Sequence, residues 1–127
     1  MNLEQVADLA ALEGLGVLVD ETERAFVLAD MRVPFDAIVH VEIKISDKSG
    51  IVAPGAHDPP GTAWRELLVD VVLVTDDRMT DPRLLGLGTR SYSTDGTAPE
   101  VQGAPLWQRA RRVAEAAARI CHRKMIG

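Results

Sequence analysis

Residues 37–45 read AIVHVEIKI, with Ala37, Val39, Val41, Ile43 and Ile45 apolar and His40, Glu42 and Lys44 polar between them. A period of two predicts a strand with one buried and one wetter face. Only Ile38 breaks the alternation. Residues 67–75, LLVDVVLVT, carry the dense Val and Leu content of a central strand. The two segments are long enough to pair as the spine of a sheet.

Helical spacing marks both ends of the chain. Asn2 and Gln5 have the capping-box spacing ahead of a helix from Leu3 to about Glu13. Leu3, Val6, Ala7 and Ala10, with Leu9 and Leu12 beside them, form its expected apolar stripe, which leaves Glu4, Asp8 and Glu13 to water. Gly14 is expected to supply a left-handed cap. A second helix is expected from about Leu106 to Lys124, its stripe running Leu106, Ala110, Val113, Ala117, Ile120 and Cys121.

Between the helices the punctuation is mostly turn chemistry. Residues 17–20 and 24–31 flank Glu21-Thr22-Glu23 and read as a hairpin that Pro34 interrupts. Residues 46–63, SDKSGIVAPGAHDPPGTA, read as a long irregular arm or lid stiffened by Pro59-Pro60. Pro82 can open a short helical turn through Arg83-Leu84-Leu85 that Gly86 and Gly88 stop, and residues 89–94 have the composition of an edge strand. The expected fold is α+β, a single domain over residues 1–127: a mainly antiparallel sheet of four to five strands with an N-terminal and a C-terminal helix packed on one face.

Charge changes the picture more than composition does. The net charge is −5, yet from Pro105 onward Arg109, Arg111, Arg112, Arg119, Arg123 and Lys124 face only Glu115, so residues 1–104 hold eight basic and eighteen acidic groups. An acidic body and a basic tail imply electrostatic attraction between them, within one chain or between copies. The same acidity argues against nucleic acid as a partner, although binding through the final helix would betray itself by steep salt dependence. Apolar runs are too short to span a bilayer, and Glu4 and Asp8 stand where a signal peptide carries basic residues. With a single cysteine, a cytoplasmic location is expected.

Candidate chemistry is sparse. No CxxC, HExxH, phosphate-loop or nucleophile-elbow spacing occurs, Cys121 and His122 diverge on their helix, and no metal or cofactor is expected. Catalysis, if any, would use His40 and Glu42 with Asp70 across the sheet, a histidine and carboxylates placed for general-base work. The stronger expectation is a non-catalytic component that acts through protein contacts as a homo-oligomer, or with another protein bearing an acidic patch. Its expected interface residues are His57, Pro59, Pro60 and Trp64 on the arm, Trp107 at the start of the last helix, and Arg112, Arg119 and Arg123 along it.

Two outlines agree with an assembly role or a small α/β module. The leading helix, PFDAIVHVEI and a second long strand across a protruding loop are similar over residues 3–75 to phage tail-terminator and neck proteins, which implies assembly into rings. IVHVEIKIS and LLVDVVLVT followed by an edge strand and a basic helix resemble the α/β domain of ribosome-hibernation factors.

Overall fold

In a computed structural model, which describes residues 2–52, 61–76 and 81–127, the alternating segment grows into β4, Ile38–Ile51, paired antiparallel with β5, Ala63–Thr75. The register runs from Ile38 opposite Thr75 to Ile51 opposite Ala63. A bulge at Val39 leaves that residue half-exposed and puts Ile38, Val41 and Ile43 on one face with Val69, Val71 and Leu73. β6, Arg83–Ser93, pairs with the far side of β5, and β7, Lys124–Ile126, runs parallel to β4, giving the order β6-β5-β4-β7. A separate three-stranded antiparallel sheet has the order β1-β2-β3, from Leu18–Asp20, Ala25–Val27 and Arg32–Pro34. The fold is α+β, with two helices and two mostly antiparallel sheets.

Helix α2, Ala104–Cys121, lays Ala110, Val113, Ala114, Ala117 and Cys121 on the Val41, Ile43, Val69 and Val71 side of the long sheet. Its small side chains let the helix sit close. Pro105 opens it, and His122 closes it in the left-handed region with φ 56°. This turn redirects the chain into β7, so the helix ends short of Lys124. Helix α1, Leu3–Glu13, packs on α2 and β1. One core joins α1 through Leu12, the small sheet through Phe26 and Val33, and the long sheet; Phe26 and Phe35 meet with ring centroids 4.9 Å apart.

Several local expectations give way to pairing. Residues 46–51 and 63, with Trp64, belong to the long hairpin rather than to an arm, because each strand satisfies the other's backbone groups well past the hydrophobic run. Residues 53–60 of the arm, with His57, Pro59 and Pro60, lie outside the described residues. Arg83-Leu84-Leu85 is strand, since β5 offers a ladder that a lone helical turn cannot match; Asp81 accepts from the Thr75 amide at 3.1 Å instead of capping a helix. Gly86 and Gly88 do not stop a helix but lie within β6, where a Cβ on Gly88 would come 2.6 Å from Leu68 Cδ2. Pro34 joins the edge strand of the small sheet, where its missing N–H costs least.

The capping box at Asn2 and Gln5 is present in both directions, at 2.8 and 2.9 Å. The left-handed residue after α1 is Gly16, with φ 79°, whereas Gly14 is right-handed with φ −60°. Gly14→Ala is therefore expected to leave the melting temperature close to wild type, its Cβ meeting only ordinary contacts at 3.5 Å. Gly16→Ala should lose about 1 kcal/mol from the left-handed backbone alone. Equal effects of the two in urea titrations would overturn this assignment.

Candidate interaction surface

The pleat of the long sheet leaves one face to the core and the other outside both helices. On that outer face stand His40, Glu42, Lys44, Ser46, Lys48 and Gly50 of β4, opposite Val74, Val72, Asp70, Leu68, Glu66 and Trp64 of β5. β6 adds Arg83, Gly86, Gly88, Arg90 and Tyr92, and β7 adds Lys124 and Ile126. Along β5 the row alternates, with Glu66 and Asp70 set among Trp64, Leu68, Val72 and Val74, and Val72 is buried. Lys44, Lys48, Arg83, Arg90 and Lys124 outnumber Glu42, Glu66 and Asp70, five basic groups to three acidic.

Ion pairs lace this face, two between β5 and β6 and one within β4. Arg90 reaches Glu66 at 3.1 Å, Arg83 reaches Asp70 at 3.5 Å, and Lys44 reaches Glu42 at 3.8 Å. Being partly exposed, each contributes little to stability. Trp64 lies over Gly50, whose absent side chain makes the space, and the Arg90 guanidinium stacks 4.7 Å from its ring centre while donating to the Tyr92 hydroxyl at 3.4 Å. Trp64 is thereby a ring fixed on the sheet, with a polar edge around it.

The residues considered for catalysis share this face but do not converge. His40 Nε2 and Glu42 Oε1 are 4.0 Å apart, beyond hydrogen-bond reach, and Asp70 is engaged with Arg83. The buried His40 Nε2 has no hydrogen-bond partner among the described residues. Two clefts lie instead beside α1. One is lined by Leu9, Leu18 and Val27 with neighbouring β1 residues. The other, of about 750 Å³, lies between α1, the β1–β2 turn and the end of α2. Among the described residues no group of three or more His, Cys, Asp or Glu side chains is placed to hold a metal, and no helix is long and apolar enough to cross a membrane.

Arg112 and Arg119 of α2, and Arg123 beyond its end, are engaged within the chain. Asp8, 2% exposed rather than left to water, accepts from Arg119 at 2.8 and 2.9 Å and from Arg112 at 3.0 Å. Arg119 also reaches Glu4 at 3.1 Å. Arg123 donates to the Ile38 carbonyl at 2.8 Å and lies 3.9 Å from Asp36. Trp107 packs partly buried against the core near the start of α2. Cys121 is fully buried, which pushes its thiol up and leaves it a poor nucleophile. Comparison with protein-family models, with curated proteins and with solved structures finds no match to this chain.

Asp8 was the residue that periodicity misplaced. Its position gives it two guanidinium partners and a buried carboxylate that water cannot serve. Hydrogen bonds from Arg119 pull its pKa below the ordinary 3.8, burial opposes them, and Arg112 adds to the lowering. A carboxylate with a lowered folded pKa stabilises the fold fully above its unfolded value and loses that contribution as pH falls through the folded value. Asp20, Asp47 and Asp95 shift in the same direction through their own hydrogen bonds. Asp8→Asn should cost about 2 kcal/mol at neutral pH and flatten the decline of stability below pH 4 without abolishing it. Thermal melts of both proteins from pH 7 to 2 check this; parallel curves would mean that Asp8 is not the coupled group.

Proposed function

We propose that this protein is a non-catalytic structural component that works by self-association through the outer face of its long sheet. The observation that carries the reading is that face itself: neither helix covers it, and it combines a fixed tryptophan, the exposed Tyr92 beside it and charged flanks. Aromatic and arginine groups on a preformed surface are favourable centres for protein contacts. β6 adds an outer strand edge of eleven residues, which isolated chains in solution need to protect. Trp64 belongs to this surface. Trp107, Arg112, Arg119 and Arg123 serve the fold within the chain, and the self-association is assigned to the sheet rather than to the basic helix.

A second reading takes the same face as a ligand site centred on His40, Glu42 and Asp70. Its support is the unpartnered His40 Nε2 beside Glu42. A bound ligand would satisfy that nitrogen, and His40→Asn would then weaken ligand binding without changing the native mass.

Light scattering coupled to size-exclusion chromatography tests the first reading. A mass that exceeds one chain and falls on dilution or with added salt is the expected result. Tyr92→Glu, at an exposed position over the surface, should shift that dissociation to at least about tenfold higher protein concentration, a loss near 1.4 kcal/mol. A monomer at every accessible concentration would remove self-association and favour the ligand reading.

A further inference from the structure

The cleft of about 750 Å³ between α1, the β1–β2 turn and the end of α2 has the size of a small-molecule site, and Leu9, Val19, Phe35 and Ile120 give it an apolar lining. Both non-glycine residues that hold a left-handed backbone among the described residues line it: Arg24, with φ 52°, and His122, with φ 56°. Glycine takes that conformation without steric cost, whereas an arginine or a histidine strains the fold. The two turns call for the backbone at these positions; they do not call for the side chains. Both residues are exposed, and neither side chain has a hydrogen-bond or ion-pair partner among the described residues.

The other charges around the cleft close into pairs. Asp8 and Glu4 are met by Arg112 and Arg119 at 2.8 to 3.1 Å. At the margins Arg32 holds Asp20 at 2.8 Å, and Asp36 lies 3.9 Å from Arg123. Glu21 and Arg24, at the first and last positions of the β1–β2 turn, line the cleft with no ion-pair partner among the described residues. Glu23 of the same turn is exposed and does not line it. The lining is therefore close to neutral, and it leaves one carboxylate, one guanidinium and one imidazole without a partner.

We infer that this cleft binds a small zwitterion of the amino-acid class with an aliphatic body. Arg24 takes the carboxylate, its planar fork matching two parallel hydrogen bonds, and the His122 imidazole is a further donor. Glu21 takes the ammonium group, and the aliphatic body lies against Leu9, Val19 and Ile120. A plain anion or a plain cation serves one of the two unpartnered groups and meets the other as a like charge, so a ligand bearing both signs is the complementary one. The site is independent of self-association, since none of its residues belongs to the outer face of the long sheet.

Free leucine, isocaproate (leucine without its amine) and isopentylamine (leucine without its carboxylate) are the probes, titrated into the full chain at neutral pH and followed by amide chemical shifts. Leucine should give saturable shifts at residues 21–24 and 119–122. Each singly charged analogue should bind at least about tenfold more weakly, the loss expected when one charge-assisted contact is removed. Arg24→Asn and Arg24→Gly keep the left-handed turn with less strain, so both should melt no lower than wild type while weakening leucine and leaving isopentylamine unchanged. Glu21→Gln should weaken leucine and leave isocaproate no weaker. Equal binding of the three probes, leucine shifts that never saturate, or an Arg24→Asn chain that binds leucine as wild type does would overturn the zwitterion site. Self-association is judged by native mass, which none of these results alters.

Discussion

The antiparallel pairing of β4 with β5 is the constraint on which the rest of the molecule depends. Its register places Val41, Ile43, Val69 and Val71 under α2 and sends Glu42, Lys44, Asp70 and Val72 to the opposite side. A slip by one residue would exchange those two sets, burying charge and exposing the core. The bulge at Val39 corrects the one break in alternation, so that Ile38 and Val41 both reach the interior. β6 and β7 then add to the two outer sides of this pair and inherit its faces.

The second constraint is ionic. α1 is a short helix with apolar side chains on more than one side, and its orientation is decided by Leu12 and by Asp8, which bridges to Arg112 and Arg119 across 104 and 111 residues of sequence. The partners remain near 42–43% exposed in their side chains while the carboxylate is 3% exposed, so the pairing is buried on the acidic side only. This arrangement avoids the full desolvation penalty of an enclosed ion pair. It also converts the attraction between acidic body and basic tail into a contact within the chain.

Orientation of α1 and pleat of the sheet together produce two unlike outer surfaces. One is the exposed apolar side of α1, the other a sheet face of paired charges around Trp64. Neither arises from a motif. Each is a by-product of which side the core claims, and the functional reading follows from what the core leaves over.

Local sequence determined the elements with regular period and self-contained caps. The alternation around Val41, the stripe of α2 and the Asn2–Gln5 box were legible because the interactions that form them lie within a few residues. Tertiary structure alone decided the rest. Arg83 to Ser93 became one strand because β5 offered hydrogen bonds along its whole length, overriding turn-like Pro82 and two glycines. β7 is only three residues long and exists because the left-handed turn at His122 returns the chain beside β4. The same limit explains Asp8 and the candidate surface: helical spacing shows that sides differ, whereas the direction each side faces depends on distant partners that no local pattern contains.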